Sequence, residues 1–251
     1  MDTKDIQTLL EEKYNGTQSP EYKADAARLA AGEPVDYVIG WKPFLDCKIF
    51  LDSRPLIPRT ETEYWVEQAI SEIRRERGAA ALACLDLFAG SGAIGVAVLK
   101  HLPNARIDFG EIETTYFPTI KKNIDKNHID QIRTSIIKTD VWSDISGTYD
   151  FIFANPPYLS KNRPERIQKS VLVHEPESAL FAEEDGFLLI RKTIEGAVQH
   201  LKKGGMIYLE HEPEQGEAVR SLGHVCGFAV ETRTDQYGML RYSALKLQPA
   251  S

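Results

Sequence analysis

The chain predicts an α/β fold: a doubly wound, mostly parallel sheet with an antiparallel hairpin at one edge, preceded by a short helical segment and a β-hairpin. Three observations predict it. From Leu82 onward, apolar runs of strand length alternate with helix-length segments, the pattern of parallel strands joined by crossover helices. A Gly90-x-Gly92-x-x-Gly95 turn follows the first of these strands and opens a helix. The run Phe151–Ala154 then stops at Asn155-Pro156-Pro157-Tyr158. Prolines cannot continue a ladder, so Asn155 belongs at a strand's carboxyl end, where open α/β sheets bind ligands.

Taken in order, residues 1–38 read as a helical appendage. Ile6, Leu9 and Leu10 make one apolar stripe broken by Asn15-Gly16, and Ala24–Ala31 makes a second, stopped by Gly32 and Pro34. Neither is long enough to be stable unpacked. Residues 39–63 read as a hairpin linker, with Ile49-Phe50-Leu51 and Leu56-Ile57 flanking a turn at Asp52-Ser53-Arg54. Residues 64–251 form the main domain, beginning with a helix from about Tyr64 to Arg75, ahead of which Thr60 and Glu63 have capping-box spacing. Arg59 and Glu61, which such a cap does not need, are candidates for binding.

The strands follow as Leu82–Leu87, Arg106–Glu111, Ile132–Lys138, Phe151–Ala154 and Met206–Glu210, with helices to His101, over Thr115–Lys126, over Gly186–Leu201 and over Glu214–Val225. Phe228–Arg233 and Arg241–Leu247 have no helix between them, so they pair antiparallel at one sheet edge.

The totals bound the function. With 251 residues, 42% hydrophobic and 27% charged, the chain is an ordinary globular length and composition. A net charge of −7 argues against nonspecific binding to a polyanion and leaves room for a basic protein partner. Cys47, Cys84 and Cys226 are odd in number and form no CxxC, and the six histidines are scattered, so neither a disulfide nor a metal site is expected. No signal peptide or membrane-length apolar run is evident, and a cytoplasmic location is expected.

Four strand ends carry chemistry. Gly90, Gly92 and Gly95 let a ligand approach the backbone, and Glu111, twenty-one positions past Gly90, suits two ribose hydroxyls. A nicotinamide dinucleotide would also fit this turn, but no His–Asp or Tyr–Lys arrangement follows to use it. S-adenosylmethionine offers a ribose, an adenine and an ammonium instead. Asp86 suits the ammonium, directly or through water, while Asp140 suits the adenine amino group with Val141 on the ring. Asn155, with the acceptor-only carbonyls beside Pro156 and Pro157 and the flat face of Tyr158, suits a planar amide or an exocyclic ring amine.

These residues resemble a class I S-adenosylmethionine-dependent methyltransferase, a Rossmann-like fold, with the Asn-Pro-Pro-Tyr motif. More narrowly they are similar to the HemK-type protein-(glutamine-N5) methyltransferases. The resemblance runs from about Arg28 to Leu247 and includes Arg28–Pro34, Leu56-Ile57-Pro58-Arg59 with Glu61-Thr62-Glu63, Asp86–Gly95, Glu175–Phe181, Asp185-Gly186 and Asp235…Gly238…Arg241. It departs from that family at Thr60 for Pro, at Phe88-Ala89 for Gly-Thr and at Glu210-His211-Glu212 for Glu-Ile-Gly, and the family's amino-terminal helical domain is represented only by its last part.

The resemblance implies methylation of the glutamine side chain in the Gly-Gly-Gln loop of a peptide chain release factor, by a monomer. It implies a cofactor set of Asp86, Phe88, Ala89, Gly90, Ser91, Gly92, Glu111, Ile112, Asp140, Val141 and Asn155. Catalysis falls to Asn155, Pro156, Pro157 and Tyr158, which with Arg59, Glu61 and Glu175 also bind the substrate. The side-chain oxygen of Asn155 and the carbonyl of Pro156 would accept the two amide protons, with Tyr158 and Pro157 stacked on the amide plane. A nucleic-acid base methyltransferase (adenine N6 or guanine N2) is the rival, resting on the basic residues Lys161, Arg163, Arg166 and Lys169. An inert cofactor-binding scaffold is a further alternative, opposed by the intact strand ends.

Overall fold

The computed structural model describes residues 3–163, 165 and 168–249. Helix α1 (Thr3–Glu12), α2 (Pro20–Ala30) and α3 (Val35–Ile39) pack around Leu9, Tyr22, Leu29, Val38 and Ile39. Helix α2 starts four residues before the expected Ala24, because Ser19 caps it by accepting from the Tyr22 N–H and Pro20 follows at the first helical position. Asn15 and Gly16, both at positive φ, end the first helix, as their sequence predicts.

The buried carboxylate of Asp25 accepts from Lys13 and Tyr14, each at 2.7 Å, and from Arg28 at 2.8 Å. Arg28 also grips Glu33, which in turn holds Arg54 at 2.7 Å. The Arg28–Pro34 stretch therefore ties the helices to the linker.

The hairpin lies one segment earlier than the sequence reading placed it. Strand β1 (Trp41–Phe44) pairs with β2 (Cys47–Phe50), and the two-residue turn is Leu45-Asp46, at φ 45 and 60. Two consecutive left-handed residues match the twist of a tight hairpin. The Asp52-Ser53-Arg54 turn leads into an irregular strap instead, because Pro55 and Pro58 deny Leu56-Ile57 a ladder.

The outer edge of β2 is covered by side chains. Asn123 both donates to and accepts from Phe50, and Asn127, one turn on, does the same for Lys48. Helix α4 runs Thr60–Arg77, starting four residues before the expected Tyr64. Arg59 is its cap residue and the capping box does not form: Glu63 accepts instead from the Leu45 N–H at 2.7 Å, fastening the hairpin turn.

The main sheet contains β3 (Leu82–Leu87), β4 (Ala105–Glu111), β5 (Thr134–Lys138), β6 (Tyr149–Ala154), β7 (Leu201–Glu210), β8 (Phe228–Thr234) and β9 (Leu240–Leu247), in the order β5-β4-β3-β6-β7-β9-β8. The first five are parallel, and β9 enters antiparallel between β7 and β8. Helices α5 (Ala93–His101) and α6 (Phe117–Lys126) cover one face with α4. Helices α8 (Leu188–His200) and α9 (Gly216–Val225) cover the other, and the short α7 (Lys169–His174) buries no side chain. Strand β7 begins at Leu201, so Gly204-Gly205 sit in a bulged strand.

Strand order reverses between β3 and β6, the switch point of a doubly wound sheet. There Leu87 pairs with both Ala154 and Gly110, Glu111 with Lys138, and Ala154 with Leu209. Phe88, Glu111, Lys138, Asn155 and Glu210 thus stand at one level at the ends of five adjacent strands, with Thr139 one residue beyond.

Candidate active site

Three cavities open along that row, and Asn155 and Leu56 line all of them. The first, about 240 Å³, lies over β3, β4 and β5 and is walled by Phe88, Gly90, Glu111, Ile112, Tyr116, Asp140, Val141 and Pro157, among others. A narrow one of about 50 Å³ continues it beneath Pro58 and Arg59, along Ala89, Gly90 and Ser91. The third, about 340 Å³, holds Arg59, Glu61, Pro156, Tyr158, Glu210 and Arg241 on the far side of Asn155.

In the first cavity, the Glu111 carboxylate is 7% exposed and accepts from the N–H groups of Gly90 and Glu113 at 2.7 and 2.9 Å. Burial raises its pKa while those donors oppose the shift. It therefore fixes the glycine turn and still has lone pairs for a diol. Asp140 is exposed and Val141 buried, the latter at φ 55. A β-branched residue in that region is strained, and such strain gathers at ligand sites. Phe88 stands at φ 65 where the resembling family has glycine, and it lines both the 240 Å³ and the 50 Å³ cavities.

Asp86 departs from the simplest expectation. It lines none of the three cavities and is fully buried beneath the turn, where Oδ2 accepts from the Gly95 N–H at 2.8 Å. Its Oδ1 has no hydrogen-bond partner among the described residues. Burial pushes its pKa up to about 8. Gly92, at φ 78, also lies outside the cavities: it caps α5 against Phe109 and Ile120. An orphaned buried acid, a diol acceptor and an apolar slot with an acid at its rim fit the ammonium, ribose and adenine of S-adenosylmethionine.

Around Asn155, proline chemistry fixes the backbone. Pro156 lines the 340 Å³ cavity with Tyr158, while Pro157 lines the 240 Å³ cavity, so Pro157 and Tyr158 face different cavities. Consecutive residues turn to opposite sides of an extended segment. Gln215 donates to the Tyr158 carbonyl at 3.0 Å, and Gly186, at φ +89, presses against that same carbonyl. This explains the Asp185-Gly186 pair, since Asp185 also accepts from Ser160 and Asn162.

Glu175 is corrected in role. Its side chain is 1% exposed and lines none of these cavities. It accepts from Arg59 at 2.6 Å and from the Ile57 N–H at 3.1 Å, holding the proline-rich strap over the site. Arg59 and Glu61 do line the substrate-side cavity.

Glu210 was missed as a site residue. It ends β7 just as the other chemical groups end their strands, which was the available signal. Its Oε2 accepts from Thr62 and from the Trp65 indole, both at 2.6 Å, and its Oε1 from the Tyr158 hydroxyl at 2.9 Å. Burial raises the Glu210 pKa against the pull of those donors, and burial with the adjacent Glu210 keeps Tyr158 protonated. Arg241 shares the cavity and is held by Asp235 at 3.1 Å. Leu56 and Tyr116 were missed too, being apolar or aromatic residues with no spacing pattern to mark them.

Of the basic cluster, Lys161 pairs with Glu177 at 3.3 Å and Arg166 lies outside the described residues. Among the described residues of this stretch, Gln168 and Val171 line the 340 Å³ cavity. Among the described residues no group of three or more His, Cys, Asp or Glu side chains is placed to hold a metal ion, and no helix is long and apolar enough to cross a membrane.

A family model described as the methyltransferase small domain matches residues 70–190. The chain is 34% identical over 214 residues to a release factor glutamine methyltransferase of Lactococcus lactis, a match spanning 85% of this chain and 77% of that protein. It is 38% identical over 216 residues to the protein of the same name in Streptococcus pneumoniae, spanning 85% and 75%. Among solved structures, a ribosomal protein L11 methylase from Lactobacillus delbrueckii subsp. bulgaricus superposes with a TM-score of 0.57 at 16% identity, over 78% of this chain and 82% of that one. A putative methyltransferase solved with SAH superposes at 0.52 and 14% identity, over 76% and 50%. The structural likenesses establish the fold.

Proposed function

We infer how this site works from the premise that the chain belongs to the release factor glutamine methyltransferases. It is a methyltransferase acting on a release factor glutamine. The methyl donor is S-adenosylmethionine, the acceptor is the side-chain amide nitrogen of the glutamine in the Gly-Gly-Gln loop, and the reaction takes place in the cytoplasm. One observation carries the assignment of roles: Asn155 lines both the cavity suited to the donor and the cavity open to the acceptor.

S-adenosylmethionine, when bound, supplies an activated methyl group on a sulfonium. Glu111 would hold its ribose, Asp140 with Val141 and Ile112 its adenine, and Asp86 with the Phe88–Ser91 turn its amino-acid end. Glutamine's amide nitrogen is a poor nucleophile because its lone pair is delocalised into the carbonyl. The chain answers by geometry. Asn155 Oδ1 and the Pro156 carbonyl accept the two N–H protons, and the Tyr158 ring covers the amide plane, turning the lone pair toward the donor. Orientation and fixed acceptors supply the acceleration, and no strong base is required. Arg59, Glu61 and Arg241 would meet the residues flanking the glutamine, with Glu175 acting through Arg59.

The test is methyl transfer from labelled S-adenosylmethionine to a purified release factor, beside its Gly-Gly-Gln variant with Gln→Ala, with total RNA and DNA in parallel. Label on the wild-type factor alone is expected. Label on nucleic acid would move the reaction to a ring amine and overturn the acceptor assignment.

A further inference from the structure

An asparagine amide has two orientations of nearly equal shape, and only one offers an oxygen to the substrate. In the other, the Asn155 amino group would meet the substrate's N–H, donor against donor. We propose that Thr62, with its hydroxyl proton held by Glu210, is the positioning residue that sets Asn155 with its oxygen toward the acceptor amide. This rests on the reading above.

The donor inventory carries the argument. Asn155 Nδ2 lies 3.3 Å from Thr62 Oγ1. A hydroxyl can give or accept, so Thr62 alone decides nothing. The decision comes from Glu210 Oε2, which is 2.6 Å from Thr62 Oγ1 and 2.6 Å from Trp65 Nε1. An indole nitrogen only donates, so that oxygen is an acceptor. Thr62 has one proton, and it goes to the carboxylate. Only lone pairs remain on the side facing Asn155, so Asn155 must present its amino group there and its oxygen elsewhere.

Thr62 is 3% exposed, Glu210 1% and Trp65 0%, so water does not compete for these bonds. The other oxygen of Glu210 takes the Tyr158 hydroxyl, so one buried carboxylate orients both the acceptor group and the ring that covers the substrate. Thr62 comes from the first turn of α4, Glu210 from the end of β7 and Asn155 from the end of β6, so the relay exists only in the folded chain.

The experiment compares wild type, Thr62→Val and Thr62→Ser in the full chain labelled with ¹⁵N-asparagine. The side-chain NH2 pair of Asn155 is identified by its loss in Asn155→Asp. In wild type, without substrate, one proton of the pair should be shifted downfield and slow to exchange. Thr62→Val should abolish both signatures, and Thr62→Ser should restore them. With release factor as substrate, Thr62→Val should lower kcat roughly tenfold to a hundredfold. KM should change far less, and Thr62→Ser should recover most of the rate. Thr62→Ala, which removes the same hydroxyl, serves if the valine variant does not fold.

An unchanged NH2 pair in Thr62→Val overturns the proposal, as does a loss of kcat that serine does not restore. The spectral arm needs no substrate. If wild type fails to methylate a release factor, the functional reading fails while the relay is still decided.

Discussion

Replacing Gly186 with alanine tests how closely the fold is built around Tyr158. Gly186 sits at φ +89, and an added Cβ would overlap the Tyr158 carbonyl oxygen, lie 2.7 Å from its carbonyl carbon and 3.1 Å from Gln215 Nε2. Ordinary carbon–carbon contact is about 3.5–4.0 Å, so the carbonyl must retreat by roughly 1 Å. Left-handed backbone costs an alanine about 1–2 kcal/mol, and overpacking adds about 1–3 kcal/mol. A total near 3 kcal/mol lowers Tm by roughly 6–12 °C in a chain of this size. A 1 Å displacement of a positioning group costs turnover about a hundredfold.

Gly204→Ala is the control, because it shares a positive φ, +72, with nothing within 4 Å of its Cβ. Thermal melts, S-adenosylmethionine titration and release factor methylation are compared for the two variants. Gly186→Ala should bind the donor nearly as well as the control while turning over about a hundredfold more slowly. Turnover within twofold of the control would refute the reasoning, because Tyr158 would then tolerate being moved.

Asp86 is raised from 3.8 to about 8 by burial, so the unfolded chain ionises first and stability without the donor should fall as pH rises from about 4 to about 8. Asp86→Asn should flatten that slope in urea melts, and calorimetry near pH 7 in buffers of different ionisation enthalpy should show wild type releasing a proton on binding S-adenosylmethionine and the variant releasing none. Tyr158→Phe keeps the ring but removes the bond to Glu210, and should cost about 1–2 kcal/mol of stability with a smaller loss of kcat than Tyr158→Ala. Arg59→Ala leaves the buried Glu175 carboxylate with the Ile57 N–H as its one remaining partner among the described residues, and should destabilise by about 3 kcal/mol in denaturant melts; the double change with Glu175→Gln should recover part of it.

The sequence by itself determined the alternation of strands and helices, because the period of burial follows from backbone geometry and is written locally. Leu82–Leu87 was legible to the residue, and the glycine turn and Asn155–Tyr158 announced themselves through residues with few conformations open to them. The hairpin was misplaced because Ile49-Phe50-Leu51 and Leu56-Ile57 are locally as strand-like as Trp41–Phe44. The choice fell to the Leu45-Asp46 turn, which Glu63 fastens, and to Asn123 and Asn127 pairing with β2.

Tertiary structure alone decided which of the named residues face a ligand. Asp86 and Glu175 look alike as binding acids in the chain, yet Asp86 lies beneath the glycine turn with one oxygen left without a partner among the described residues, whereas Glu175 anchors Arg59. Glu210, which looks like a strand end, becomes the group on which Thr62, Trp65 and Tyr158 converge. Thr62 and Glu210 are 148 positions apart, and only sheet register and the docking of α4 bring them to 2.6 Å. Strand identity is a short-range property of the chain, whereas the direction of a side chain's last hydrogen bond depends on what other strands deliver to the same level.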